Sequence, residues 1–239
     1  MTIYNIYRKQ LFNPNFFSLF INPFFIIRRN LYKCLKTEAP KLSGKVLDFG
    51  CGSKPYKSLF VNAVEYIGLD IENEGHSHEK EDIDFYYDGK TIPFGNEVFD
   101  SVFSSEVFEH IFELDNSLDE ISRVLKKNGK LLISLPFAWN EHEIPNDFAR
   151  YTSFGIIYLL EKHGFKVASI TKAGHFAEVV AQFVPLYIYE LIATKKKFLN
   201  LFLNLFFISP FIVVGFLVSH VLPVNKSLYF NNVILAEKK

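Results

Sequence analysis

The chain has 239 residues, enough for one large α/β domain with additions, and its 26 Lys and Arg balance 26 Asp and Glu. Nothing in that neutral balance suggests a nucleic-acid partner, which usually needs a basic face. Two cysteines, Cys34 and Cys51, are too few for a disulfide framework and fit a reducing compartment. The unusual feature is 27 Phe and 12 Tyr, with the excess at the two ends and an ordinary soluble pattern between them.

Residues 1–43 hold an uncharged aromatic run, Leu11 to Ile27, closed by Arg28-Arg29. Pro14 and Pro23 interrupt it, so it reads as short helices rather than one straight span. It lacks the small-residue cleavage site of a signal peptide. These helices lie on something apolar, either the domain itself or a bilayer.

Residues 44–171 alternate strand and helix signals. Lys45–Phe49 reads as a strand that runs into Gly50-Cys51-Gly52. Glu65–Ile71 is a second strand ending on Asp70, and Phe99–Ser104 a third. Leu114, Leu118, Ile121 and Leu125 recur at helical spacing, and Asn128-Gly129 stops that helix. Lys130–Leu135 is an apolar strand ended by Pro136. A polar, aromatic loop over 137–151 precedes a helix at Thr152–His163 and a strand at Phe165–Thr171. Such alternation predicts a doubly wound, mostly parallel sheet.

Residues 172–231 contain a second greasy stretch, with no charged residue from Phe198 to Asn225, led by Lys195-Lys196-Lys197. Its length alone reads as a membrane span. Pro210, Gly215, Asn200 and Asn204 argue instead for a hairpin dipping into one leaflet or for helices packed on the protein. Asn232–Ala236, within a closing segment 232–239, reads as the last strand of the sheet. His76 and His78, near Glu79, Glu81 and Asp82, form a charged connection, and no metal site is expected there.

A strand entering a glycine turn brings backbone close to a ligand at the carboxyl edge of a sheet. Asp70, about 20 residues on, stands where an acid accepts hydrogen bonds from a ribose diol. Both features suit a dinucleotide as well as other adenosine cofactors. The combination that follows is more specific: Asp88-Gly89-Lys90-Thr91-Ile92-Pro93-Phe94, then Phe99-Asp100-Ser101-Val102, then Ser104-Ser105-Glu106-Val107-Phe108-Glu109-His110, then Arg123-Val124-Leu125-Lys126 with Asn128-Gly129. In this order the sequence resembles the class I S-adenosylmethionine-dependent methyltransferases, in particular the group related to quinone-biosynthesis enzymes. The stretch Gly50 to Tyr56, with His142, Pro145, Asp147, Arg150 and Tyr151, looks like a subgroup of bacterial surface-polysaccharide pathways.

That resemblance implies a seven-stranded Rossmann-like sheet and S-adenosylmethionine as cofactor. It implies that Asp48, Gly50, Cys51, Gly52 and Tyr56 surround the methionine end and that Asp70, with Ile71, holds the ribose. Asp88, Gly89 and Ile92 then flank the adenine, and Ser105, Glu106 and His110 line the floor near the methyl group. Lys54 stands where many relatives carry a third glycine. For a hydroxyl acceptor a base is needed, and His142 and His110 are the candidates; His110 is equally readable as a structural hydrogen-bonding residue. Trp139, His142, Asp147, Arg150 and Tyr151 make the loop after the fifth strand the expected acceptor site. The leading expectation is methylation of a hydroxyl, or less readily an amine, on a lipid-linked or envelope-glycan acceptor at the inner face of the cytoplasmic membrane. Methylation of a quinone or other small lipid is the alternative. A nucleotide-binding oxidoreductase and a non-catalytic, membrane-associated nucleotide-binding protein are disfavoured, the first by the missing third glycine and the second by retention of Asp48, Asp70 and Asp88.

Overall fold

The structure is a computed structural model, and it describes residues 9–71 and 82–239. The chain divides into two compact units, one built from Leu35–Thr171 with Asn231–Lys239 and the other from the N-terminal residues through Cys34 with Lys172–Phe230. The cluster around His76 and His78 lies outside the described residues. Asp82 at its edge pairs with Lys54 at 3.5 Å.

The first unit carries a seven-stranded sheet in the order β3-β2-β1-β4-β5-β7-β6. Its strands are β1 (Gly44–Phe49), β2 (Ala63–Ile71), β3 (Phe85–Tyr87), β4 (Phe99–Ser105), β5 (Leu125–Pro136), β6 (Phe165–Ala173) and β7 (Asn231–Lys238). The pairs β3·β2, β2·β1, β1·β4 and β4·β5 are parallel, and β7 runs antiparallel to β5. This is the doubly wound, Rossmann-like sheet expected from the sequence. Parallel strands buried on both faces need continuous apolar runs. Leu131, Leu132, Ile133 and Leu135 of β5 and Val233, Ile234 and Leu235 of β7 supply them.

Strand β3 has only three residues and no alternation in its sequence, which is why it escaped the sequence reading. The stop expected at Asn128-Gly129 falls elsewhere. Helix α3 (Leu114–Val124) ends earlier, and β5 already begins at Leu125. The register jumps from Phe99↔Leu125 to Ser101↔Lys130, so residues 126–129 bulge out of the strand. Asn128 is left-handed there, and a Cβ at Gly129 would lie 2.7 Å from the Lys126 carbonyl. The glycine permits a strand bulge rather than a helix end.

Helix α3 presents Leu114, Leu118, Ile121 and Val124 to the core. Helix α4 (Ser153–Lys162) begins at an N-cap, where the Thr152 hydroxyl accepts from the Gly155 amide.

The second unit is helical. It holds α1 (Ser18–Ile21), the start of α2 (Phe25–Glu38), α5 (Phe176–Ile192), α6 (Lys197–Leu203) and α7 (Ser209–Val221), with one π-turn at Asn204–Ile208 joining the last two. The expectation of a break at Pro210 and Gly215 is corrected. Residues Lys197–Val221 form one continuous helix of 25 residues, with the π-turn Asn204–Ile208 directly ahead of Pro210, where the regular hydrogen-bond ladder is already altered. The hairpin therefore does not lie within 198–225. Helices α5 and α7 form it, and they approach so closely at Gly215 that a Cβ there would stand 2.9 Å from that of Ala181.

The packing of α3 generates a stability prediction. Ile121 is fully buried in the main core, so Ile121→Ala should cost about 2–5 kcal/mol through lost transfer energy and a residual cavity. Urea denaturation should show a lower midpoint with an unchanged slope.

Candidate functional site

The parallel register brings the carboxyl ends of β1, β2, β3, β4 and β5 to one edge of the sheet, where ligands sit in such folds. Leu69 pairs with both Phe49 and Phe85, and Ser105 with Ser134. Residues just beyond these positions therefore cluster. They include Gly50 to Gly52, Asp70, Asp88, Glu106 and the loop after Pro136.

After β1 the chain turns sharply. The Leu69 carbonyl accepts from both the Gly50 and Cys51 amides, at 2.9 and 3.1 Å. Gly50 is left-handed, and a Cβ there would meet a Val107 methyl at 2.4 Å, so only glycine fits. Gly52 is also left-handed, but a Cβ there would meet nothing within 4 Å. Open backbone at this point is a cradle for a ligand. The Gly52 amide donates to Asp70 Oδ2 at 2.6 Å, and the Ile71 amide donates to Asp70 Oδ1 at 2.8 Å. Asp70 is thus aimed by backbone at the mouth of the cradle.

Asp48 is buried beneath the turn, with the Tyr66 hydroxyl donating to its Oδ2 at 2.7 Å. Burial pushes its carboxyl up to about 7, against the Tyr66 hydrogen bond, which lowers it. The Cys51 thiol packs over Gly68, and the Tyr56 ring is buried edge-on to Phe103. Both side chains serve the core, which leaves ligand contact here to backbone. Lys54 compensates for the missing third glycine. It adopts a left-handed backbone and donates to Asp84 at 2.6 Å, and that carboxylate also accepts from the Gly68 amide.

On the far side of β2, Asp88 Oδ1 accepts from the Lys90 and Thr91 amides, both at 2.9 Å. These bonds hold its carboxyl below the usual range. Gly89 is left-handed and faces Ile71, and Ile92 is buried. The loop is fastened by residues given no role from sequence. Glu120 of α3 accepts from the Ile92 amide at 2.8 Å, and Arg123 donates to the carbonyls of Ile92 and Phe94. The conspicuous arginine of the Arg123-Val124-Leu125-Lys126 run was the signal available.

Beyond β4, Glu106 is left-handed, an unfavourable conformation for a side-chain-bearing residue and a frequent mark of a functional site. Its carboxylate accepts from Ser134 at 2.8 Å and from Asn231 at 2.7 Å, and Ser134 in turn lies 2.8 Å from the Ser105 hydroxyl. Ser105 and Glu106 thus form a hydrogen-bonded floor with β5 and β7. Glu109 is fully buried, and among the described residues neither carboxyl oxygen has a hydrogen-bond partner. Burial, then the neighbouring Glu106, raises its pKa well above the ordinary value.

Two imidazoles sit over this floor, edge to face with centroids 4.7 Å apart. His110 donates from Nδ1 to the Asn146 carbonyl at 2.7 Å. Its Nε2 stands 3.8 Å from both Glu109 Oε1 and Glu143 Oε2. His142 directs Nδ1 at the Asn140 carbonyl and at Asp147 Oδ2, each 3.3 Å away. Both are acceptors and lie nearer than the Arg150 guanidinium donor at 3.4 Å, which favours the proton on Nδ1 and leaves Nε2 its lone pair. Burial, then His110, holds the His142 imidazole below its ordinary value. The ligand atoms of Glu109, His110 and His142 lie within 4.8 Å of one another, close enough to share a cation, although no metal site was expected from the sequence. Glu109 and Glu143 carried no sequence-based role. The first was visible only as part of the Glu-His pair, and the second comes close only through the loop's turn, in which Asn146 donates to the Glu143 carbonyl.

Asp147 and Arg150, expected to contact the acceptor, are committed to each other. Arg150 donates to both carboxylate oxygens, at 2.5 and 2.7 Å, and to the carbonyls of Asn140, Trp139 and Ala149. A bidentate pair with its remaining donors spent on backbone fixes a loop's shape. Asp147 is held far below the usual carboxylate range by Arg150. The pair thus shapes the loop that presents Trp139 and His142. Tyr151 ends the loop half-buried, and its carbonyl accepts from Asn232 at 2.9 Å.

Comparison with known proteins agrees with this geometry. Residues 47–133 match the methyltransferase domain family. The chain is 30% identical over 122 residues to a ubiquinone biosynthesis O-methyltransferase of Pelagibacter ubique (strain HTCC1062), covering 45% of this chain and 50% of that protein. It thus spans about half the length of that curated relative. Among solved structures it resembles an S-adenosylmethionine-dependent methyltransferase from Mesorhizobium loti, with TM-score 0.53, 13% identity, and coverage of 87% of this chain and 98% of that one. It also resembles phosphoethanolamine N-methyltransferase 2 of Haemonchus contortus in complex with S-adenosyl-L-methionine, with TM-score 0.57, 20% identity, and coverage of 99% and 57%. The [4+2]-cyclase SpnF shares the fold as well, with TM-score 0.57, 17% identity, and coverage of 98% and 94%, so the fold by itself does not fix the reaction. The sheet has the Rossmann-like methyltransferase fold, and the match of residues 47–133 to the methyltransferase domain family supports S-adenosylmethionine as the cofactor. The open backbone at Gly52 beside an oriented Asp70 fits that cofactor.

Asp70→Ala should weaken S-adenosylmethionine binding by about 1–3 kcal/mol through loss of charged hydrogen bonds. Titration calorimetry should show Asp70→Asn, which keeps the side-chain shape, weakened as well. Wild-type affinity in both variants removes Asp70 from the cofactor site.

Proposed function

We propose that the chain transfers a methyl group from S-adenosylmethionine to a hydroxyl of a lipid-linked or envelope-glycan acceptor at the cytoplasmic face of a membrane. The observation that carries the reading is His142, with Nδ1 turned to Asp147 and the Asn140 carbonyl and with a lowered pKa. A neutral hydroxyl must lose its proton as the new bond forms, and a positioned imidazole is suited to receive it. The bound cofactor supplies a methyl group already activated by its sulfonium.

In this proposal the acceptor oxygen lies against His142 Nε2. Its proton passes to that nitrogen as the oxygen–methyl bond forms and the sulfur–methyl bond breaks. The resulting imidazolium is stabilised by Asp147, which stays ionised beside Arg150. His110 orients the loop through Asn146. Trp139 offers a flat apolar surface of the kind that sugar rings and quinone rings both use. An amine acceptor would need the same base only if it arrived protonated.

The preference for a lipid-linked acceptor rests on the second unit, whose helices expose a long apolar surface. This supports peripheral or monotopic association with the inner face of the cytoplasmic membrane. A quinone or other small lipid is the second reading, favoured by the ubiquinone-pathway relative.

His142→Ala should lower turnover about 10²–10⁴-fold with cofactor affinity little changed. Because the imidazole is held below its ordinary value, it stays neutral until the pH falls below about 6.5. The acid limb of kcat should therefore lie under that pH and vanish in the variant. Stopped or radiolabelled assays over lipid, glycan and quinone fractions measure both effects. Unaltered turnover sinks His142 as base.

A further inference from the structure

The apolar surface of the helical unit has a defined shape. Helix α5 and the continuous helix Lys197–Val221 are joined by a short turn, 193–196, and pack together at Ala181 and Gly215. Each buries one side. Helix α5 turns in Val179, Gln182 and Leu186, and the longer helix turns in Asn204, Ile208, Ser209, Ile212 and Ser219. Most polar groups of this inner side are bonded within the unit, Asn204 Oδ1 being buried without a hydrogen-bond partner among the described residues. Gln182 accepts from the Ile26 and Ile27 amides and donates to the Pro23 carbonyl, capping the start of α2. Asn204 donates to the Phe20 carbonyl, and Ser209 and Ser219 donate to carbonyls of their own helix.

The outer side is apolar along the whole length. Phe198 is 90% exposed, Val214 59% and Val221 82%, and no charged residue intervenes from Phe198 to Asn225. Helix α5 continues the surface with Val184, Tyr187 and Leu191. Monomeric soluble proteins rarely expose an apolar surface of this extent. The turn is the opposite. Thr194 and Asn200 bond to each other, with the Thr194 amide and hydroxyl donating to Asn200 Oδ1 and Asn200 Nδ2 donating to the Thr194 carbonyl. Lys195, Lys196 and Lys197 stand exposed around them, against the one acid Glu190. Lys226 is exposed just beyond the other end.

This arrangement decides the orientation. Inserted tip first, the hairpin would place three ammonium groups in hydrocarbon, each opposing insertion by about a hundredfold at the bilayer centre. Carrying the tip through to the far side moves the same three ammonium groups across the hydrocarbon, and helix α5, with 17 residues including Glu178 and Glu190, is at the short end of what spans a core about 30 Å thick. Lying side-on meets neither obstacle. The outer side enters the acyl boundary while the lysines at the ends stay among headgroups.

Resting on the membrane association proposed above, we infer that α5 and Lys197–Val221 lie in the plane of one leaflet and that Lys195–Lys197 select anionic headgroups. Charge complementarity favours lipid over a second copy. Another protomer presents the same cationic turn, whereas an anionic leaflet presents the opposite charge along the whole flank.

The test uses the purified full chain with vesicles of phosphatidylcholine alone and of phosphatidylcholine with phosphatidylglycerol. Flotation should show tighter binding to the second, and reversing Lys195, Lys196 and Lys197 to Glu should weaken that binding by at least about a hundredfold. Cofactor affinity, measured on the same variant, should be retained and reports that the core is intact. Depth comes from single tryptophans at positions 198, 206, 214 and 221 in a Trp139→Phe background, quenched by lipids brominated at known acyl positions. A side-on helix gives the same shallow depth at all four. Binding with a graded depth, deepest in the middle, overturns the in-plane orientation and leaves membrane association standing. Equal binding to both vesicles, unchanged by charge reversal, overturns the anionic selection. A protein that binds neither vesicle overturns the membrane reading with it, and sedimentation of that protein as a dimer assigns the flank to a second copy.

Discussion

The crowded turn after β1 is the constraint on which the cofactor edge depends. Gly50 sits against Val107 with no room for a side chain, and one carbonyl, Leu69 O, takes two successive amides. The turn can therefore neither relax outward nor shift along the sheet. It delivers the Gly52 amide to Asp70, which ties the ligand-facing acid of β2 to the end of β1. Val107 belongs to the segment that carries Glu106, Glu109 and His110. The same contact thus joins the cofactor half of the edge to the half bearing the imidazoles.

Charge is distributed unevenly along this edge. Asp147 is ionised by a bidentate guanidinium, while Glu109 is starved of partners and driven toward its neutral acid. Asp48, under the β1 turn, is lifted to about 7 by burial. Two carboxyls held in opposite directions, Asp147 and Glu109, thereby flank the two histidines. Such separation of titration behaviour among neighbouring acids is how one site keeps a base neutral beside a fixed anion.

Much of the first unit was legible in the sequence because its signals are local. Apolar runs, glycine turns and the Asp88 to Phe94 stretch each report on a few neighbouring residues, and the parallel register then assembles them. What was missed depends on contacts between distant segments. Glu120 and Arg123 clamp a loop some thirty positions upstream, and Asn231 completes the Glu106 site from the last strand. Asp147 and Arg150 were found, but not their mutual pairing, because spacing shows that two charges are near and not how their donors are used. The helix through Pro210 was misread for a related reason. A proline need not stop a helix, since Pro185 lies inside α5 and Pro210 follows directly on a π-turn, and neither accommodation shows in composition.

The helical unit is assembled from the first 34 residues together with Lys172–Phe230, which carries a consequence for the order of events during synthesis. At about 5–20 residues per second, the intervening stretch takes roughly ten to thirty seconds to emerge. Throughout that interval the aromatic run Leu11–Ile27 has no Gln182 to cap α2 and no Asn204 to meet α1. The sheet waits too, since β7 inserts between β5 and β6 only at the end. The nascent chain therefore carries this aromatic segment uncovered until the residues that meet it have emerged, a period in which a nearby lipid surface or a chaperone can shelter it.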